Sequence, residues 1–277
     1  DYKAAPQLIE LYKKALEQLL KFQIVADKSI DYNYCYPRSK FDLQSIVWDL
    51  NYFKYNFLKL GRIAFDEQLL ENDFKKFADF VSSVNTDNFL YRDFQSRNLM
   101  IKDDQLYFID YQGGRKGALQ YDVASLLYDA KAEIPQYLRE ELLNHYLDKL
   151  ESDYGYDRNE FIKSFYAFVL LRIMQAMGAY GFRGYFEKKP HFLQSIQFAL
   201  ENLRIILRDE IEGYPYLLGI LKQMTELKQF REVSVRKPLV VKIYSFSFKK
   251  GIPHDDSGNG GGFVFDCRAV NNPGKYE

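Results

Sequence analysis

One stretch limits what this chain can fold into more than any other. Tyr91-Arg92-Asp93-Phe94-Gln95-Ser96-Arg97-Asn98 runs into Leu99-Met100-Ile101, and after the polar Lys102-Asp103-Asp104-Gln105 comes a second apolar run, Leu106-Tyr107-Phe108-Ile109. Two short apolar segments around a polar turn predict a tight hairpin. Asn98 enters its first strand and Asp110 leaves its second, so the two side chains are expected side by side at one end of the hairpin. Asp93 lies in the turn five residues before Asn98, and Asp110 opens an Asp-x-x-Gly sequence ending at Gly113.

Kinase-type phosphoryl transfer uses that arrangement: one Asp for the proton of the attacking hydroxyl, then an Asn and a second Asp as oxygen ligands for Mg²⁺. Each residue has an ordinary structural reading when taken alone. Asp93 can close a turn on its own backbone, Asn98 can end a strand, and Asp110 can start the Gly113-Gly114 turn. The coincidence of all three at this spacing favours the chemical reading, with Asp93 as base and Asn98 and Asp110 as metal ligands.

The surroundings are helical. Leu8, Leu11, Tyr12, Ala15, Leu16, Leu19 and Leu20 recur at helical spacing behind Pro6. Tyr32 to Lys40 reads as a loop. Helices are expected over about Asp42 to Lys59, with Gly61 as the stop, and from Phe65 to Val84. Gly113 to Gly117 reads as a flexible loop leading to a helix that Asp122 could N-cap. Further helices are expected over Pro135 to Lys149, Arg158 to Tyr180 ending at Gly181, Pro190 to Leu207, and near Tyr216 to Phe230. A small hairpin in a helical body is an α+β arrangement, mainly helical, and not a doubly wound sheet.

The 277 residues suffice for one large or two ordinary domains, and 17% aromatic content favours a packed core. Lys plus Arg and Asp plus Glu are both 38, so no global charge marks a nucleic-acid or membrane-surface binder. Cys35 and Cys267 give no disulfide framework and no thiolate metal site. No apolar run reaches membrane-spanning length and Asp1-Tyr2-Lys3 does not start a signal peptide, so no membrane partner is expected and a cytoplasmic location is the simplest account. With no initiating Met, the chain is expected to be processed or part of a longer one.

Other chemistries find little support. His145, His191 and His254 are scattered, and neither a G-x-S-x-G nor a P-loop sequence is present. Gly258 to Gly262 lacks the Lys-Ser/Thr of a phosphate loop. Arg172 and Gln175 share a helical face and are candidates for an acceptor pocket, whereas Met174 and Met177 read as core. From about Val233 the character changes. Leu239 to Phe248 alternates, with Tyr244, Phe246 and Phe248 on one face among Lys242, Lys249 and Lys250. This reads as a strand with a buried aromatic face and edge-protecting lysines, and otherwise as an RNA-binding surface.

At these residues the chain resembles the aminoglycoside phosphotransferase-like kinases, the small-molecule branch of the protein-kinase-like fold, and within it the bacterial amino-sugar kinases. The similarity rests on Arg92 to Met100, Phe108 to Gly113 and Leu119 to Leu127. It implies ATP and Mg²⁺, a small hydroxylated, sugar-like substrate, and a structural role for Asp122 beneath the catalytic loop. Family members usually carry His two residues before the catalytic Asp. Here Tyr91 stands in that place, and it is expected to take over the loop support. The resemblance also implies a smaller, Gly-rich lobe with a phosphate-binding Lys. Nothing before Asp93 reads that way, so residues 1–232 are expected to form the larger lobe only, with little activity alone and an exposed apolar patch near the hairpin and first helix. The tail, with Ser245 to Pro253, Phe263 to Arg268 and Asn271-Asn272-Pro273, resembles the opening of the RapZ (YvcJ) C-terminal domain, so residues 233–277 are expected to be an incomplete α/β module. Two functions follow as expectations: an ATP-dependent kinase of a sugar-like molecule, or a non-catalytic regulator that binds an amino-sugar phosphate or RNA.

Overall fold

In the computed structural model, residues 5–103, 105–208, 211–227, 230, 244, 246–251, 254 and 264–265 are described. The chain divides into two units, Asp1–Val235 and Arg236–Glu277.

The first unit is a helical body carrying two small sheets. Its helices are α1 (Pro6–Leu20), α2 (Leu43–Phe53), α3 (Glu67–Ser82), α4 (Leu119–Leu127), α5 (Gln136–Tyr154), α6 (Arg158–Gly181), α7 (Pro190–Ile206) and α8 (Pro215–Glu226). Several starts follow from local chemistry. Asp42, Asp66 and Asp157 accept the backbone N–H of Ser45, Leu69 and Asn159, which satisfies donors that a helix leaves open at its first turn. Proline opens α1, α7 and α8, where its missing N–H costs nothing.

Helix α6 is the axis of the unit and packs against α2, α4 and α7. Phe165, Phe168, Val169, Leu170, Leu171, Met174 and Met177 are buried along it. With the π-helical turn Phe182–Phe186 it spans 29 residues, and its most apolar 18-residue window has a mean hydropathy of 1.2, long and apolar enough to cross a membrane by length and composition. The expectation that no run reaches that length is corrected here. A helix packed on several sides is apolar nearly all round, and 61% of its most apolar window is buried within the fold. The same continuation corrects Gly181 as a helix stop. Gly181 lies where a methyl group would meet the Asn56 carbonyl oxygen at 2.0 Å, so its missing side chain serves a close backbone approach and not a terminus.

Strands β1 (Asn88–Leu90) and β4 (Arg115–Gly117) pair antiparallel, Asn88 opposite Gly117 and Leu90 opposite Arg115. Ser39 and Phe41 add main-chain bonds to Lys116 at the outer side. The flexible loop expected over Gly113 to Gly117 is therefore partly a strand, ordered by a partner distant in the sequence. Strands β2 (Leu99–Lys102) and β3 (Gln105–Phe108) form the expected hairpin, with Leu99 opposite Phe108 and Lys102 opposite Gln105.

The helix expected to Lys59 with its stop at Gly61 is found: α2 continues as the π-helical turn Lys54–Lys59, capped by Leu60, and Arg62 beyond is left-handed (φ 55°). Two boundaries differ. Helix α5 continues to Tyr154 and stops at Gly155, whose φ of 71° suits a residue without Cβ. Asp122 is no N-cap: Ala118 precedes α4, and Asp122 is buried inside the helix.

In the second unit Phe248–Lys250 forms a 3₁₀ turn. Tyr244 and Phe246, expected on a buried aromatic face, are exposed. Most of the strand over Leu239 to Phe248, the cluster Gly258 to Gly262, residues 266–268 and residues 271–273 lie outside the described residues, and so does the RapZ-like reading built on them.

Candidate active site

Strand β1 delivers the chain into Tyr91-Arg92-Asp93, and the turn is held from below. The Asp122 carboxylate accepts the backbone N–H of Tyr91 at 2.7 Å and of Arg92 at 2.8 Å. Arg92 sits at φ 76°, a conformation non-glycine residues adopt only when their surroundings impose it. Its guanidinium reaches Asp49 of α2 at 3.1 Å and lies over the rings of Phe41 and Tyr121. Main-chain bonds and this ion pair together fix the turn that presents Asp93.

Asp122 is itself part of a buried polar chain. Gln23 donates to the Leu119 carbonyl at 3.1 Å and to Asp122 at 3.4 Å, and accepts the Tyr146 hydroxyl at 2.7 Å. Burial pushes the Asp122 carboxyl up to about 7, while its three N–H partners pull the other way.

Asn98 is buried between Asp93 and Asp110. Its Nδ2 donates to the Asp93 carbonyl at 2.8 Å and to Asp110 Oδ2 at 3.2 Å. Asp110 adopts φ 70°, which Asp tolerates better than most side chains, and its Oδ1 accepts from Gln112 at 2.7 Å. Both amide hydrogens of Asn98 are used, and among the described residues its Oδ1 accepts no hydrogen bond. Asp110 keeps lone pairs on each oxygen. This donor set suits a hard, oxygen-preferring cation. Among the described residues no group of three or more His, Cys, Asp or Glu could hold a metal, so such an ion would need further oxygens, as phosphates provide.

Tyr91 is buried, its ring packed against Phe22, Phe89 and Phe94, and its hydroxyl donates to the Ile109 carbonyl at 2.7 Å. Burial pushes that hydroxyl up to about 12, so it remains a donor at neutral pH. The hairpin exposes Met100, Ile101, Tyr107, Ile109 and Tyr111.

Beside Asp93 opens a cavity of about 820 Å³. Trp48 and Tyr52 from α2, Tyr180 from α6 and Phe192 from α7 supply aromatic walls, and Asp93, Arg172 and Gln175 line it as well. Arg172 donates to Ser125 and to Gln175, and its Nη2 stands 3.6 Å from Asp93 Oδ1. The structure thus brings Asp93, Asn98 and Asp110 together and sets Arg172 and Gln175 in the adjacent cavity, with Tyr91 and Asp122 beneath the loop. Sequence reasoning missed Asp49 and Gln23, both buried polar residues in otherwise apolar helical patterns. It also missed Asp129, whose carboxylate accepts the N–H of Ser96 and of Lys131.

A model of the phosphotransferase enzyme family matches residues 6–161. That span covers more than half of the chain and takes in Asp93, Asn98, Asp110 and Asp122. The chain belongs to this family, whose fold is protein-kinase-like and whose members transfer phosphate to small molecules. A search of curated protein sequences found no match.

Proposed function

We propose that this protein transfers the γ-phosphoryl group of ATP to a hydroxyl of a small, sugar-like molecule held in the cavity beside Asp93. The observation that carries the reading is the linkage of Asp93, Asn98 and Asp110 through one amide, with the Asp93 carboxylate opening onto that cavity.

In this reading the acceptor hydroxyl lies against Asp93, which takes its proton as the oxygen bonds to phosphorus and the bond to ADP breaks. Arg172, with Nη2 3.6 Å from Oδ1, favours one orientation of the carboxylate. Mg²⁺, when bound by Asn98 Oδ1, Asp110 and the nucleotide phosphates, would neutralise charge on the transferring group. Asn98 serves twice: its amide hydrogens fix the loop, and its oxygen remains for the cation. Trp48, Tyr52, Tyr180 and Phe192 offer apolar faces to a sugar ring, whose C–H surface packs well on aromatics. Little covalent work falls to the protein, and positioning dominates.

The test is Asp93→Ala in the intact protein with its acceptor. A fall in kcat of about 10²–10⁴ is expected for loss of a general base, with ATP affinity retained. Full activity in that variant would remove the assignment.

A further inference from the structure

The charges around the acceptor cavity are not balanced as the chain is. Overall the cationic and acidic residues are equal in number. The cavity is lined by five cations, Arg92, Arg97, Lys131, Arg172 and Arg183, against three carboxylates, Asp49, Asp93 and Asp129. All three carboxylates are engaged: Asp49 by Arg92, Asp93 by Arg172, and Asp129 by two backbone N–H groups. Among the described residues, Arg97, Lys131 and Arg183 form no ion pair. Lys131 and Arg183 both stand over Phe192, at 5.8 and 5.1 Å from its ring centre. With five cations against three carboxylates the lining keeps an excess of positive charge, and an anion at Phe192 would offset it by accepting charge-assisted hydrogen bonds from Lys131 and Arg183.

We infer that the acceptor is an anionic polyol, a hydroxylated molecule carrying a carboxylate or a phosphate, with its anionic group held by Lys131 and Arg183 at Phe192 and its reacting hydroxyl directed to Asp93. This rests on the phosphoryl-transfer reading for the role of Asp93, but not for the binding preference itself. A polycationic amino sugar is disfavoured on the same grounds. Such a ligand wants an excess of carboxylates, and in this cavity the cations outnumber them five to three.

The experiment is titration calorimetry on nucleotide-free protein with D-glucuronate, D-glucose 6-phosphate, D-glucose and D-glucosamine. At least one of the two acids should bind about ten-fold more tightly than glucose, as one added charge-assisted contact implies, and glucosamine should bind weakest. The preference should shrink between 50 and 300 mM NaCl. It should disappear in a Lys131→Gln, Arg183→Gln double variant, whose exposed positions leave folding intact by circular dichroism. Which acid wins separates a carboxylate from a phosphate. Equal binding of acid and neutral sugar, tighter binding of glucosamine, or no binding of either acid at 10 mM would overturn the inference. So would a double variant that loses Mg-ATP affinity while keeping the acid preference, because the cations would then serve the phosphate donor. Full turnover in Asp93→Ala alongside a clear acid preference would sink the phosphoryl-transfer reading alone. Lost turnover in that variant without any acid preference would sink the anion inference alone.

Discussion

The hydroxyl of Tyr91 donates to the carbonyl of Ile109 at 2.7 Å, joining the segment that enters the Asp93 turn to the segment that delivers Asp110. Burial pushes the phenol up to about 12, so the donor of this bond stays protonated at neutral pH. Tyr91→Phe removes one hydrogen bond and leaves a carbonyl short of a partner while keeping the ring packing. It should cost about 0.5–1.5 kcal/mol of stability in urea unfolding. In the intact protein it should also raise the Mg²⁺ concentration needed for half-maximal nucleotide binding. A variant that matched wild type in both would show the bond to be incidental.

Asp110→Asn keeps the hairpin and its size but removes the charge of the oxygen donor that we propose for Mg²⁺. The Mg²⁺ dependence of nucleotide binding in the intact protein should shift upward by at least about ten-fold, since even supporting residues around metal ligands cost that much. Calorimetry at fixed ATP and varied Mg²⁺ measures it. Binding that stays as Mg²⁺-sensitive as wild type would place the cation elsewhere.

Asp122 gives a pH prediction. Its carboxyl is pushed up to about 7 by burial, above the ordinary Asp value near 3.9. The folded state therefore holds this proton more tightly than the unfolded chain. The stabilisation is complete below about pH 3.9 and is lost as pH rises through 7. Asp122→Asn has no such titration. It should be less stable by about 1–3 kcal/mol at pH 5, because an amide NH₂ must face a loop N–H where the acid's hydroxyl can turn its hydrogen away. That deficit should narrow toward pH 8. A deficit that stayed constant or widened in urea unfolding at pH 5, 6, 7 and 8 would mean the carboxylate is charged throughout.

Gly181→Ala tests the central helix. The added methyl would lie 2.0 Å from the Asn56 carbonyl oxygen, a main-chain atom that cannot rotate away. Overpacking of this kind costs about 1–3 kcal/mol. An unchanged melting temperature would count against the close approach.

What could be read from the sequence was local. The hairpin was legible because Leu99 to Ile101 and Leu106 to Ile109 sit a few residues apart, and with it came the proximity of Asn98 to Asp110. The start of α2 near Asp42 was legible in the same way, though its capping role was not named. Strand β4 was not legible, because Arg115 to Gly117 becomes a strand only by meeting Asn88 to Leu90, and an Arg-Lys-Gly sequence has no strand preference of its own. The ion pair of Arg92 with Asp49, the approach of Arg172 to Asp93, and the gathering of Lys131 and Arg183 at Phe192 all join residues far apart in the chain. Only Asp49 and Gln23 left a trace, as polar residues on faces otherwise apolar.

That trace at Gln23 bears on how the protein reaches its native state. Gln23 and Tyr146 are 123 positions apart, and Gln23 and Asp122 are 99 apart, yet the catalytic turn hangs from the carboxylate they surround. The hairpin can form early from neighbouring residues. The strained conformation at Arg92 has to wait until chain segments from both sides of it have closed large loops, which slows any contact they share. The turn that presents Asp93 is then completed last, and a nascent or partly unfolded chain would carry a formed hairpin without the base we propose.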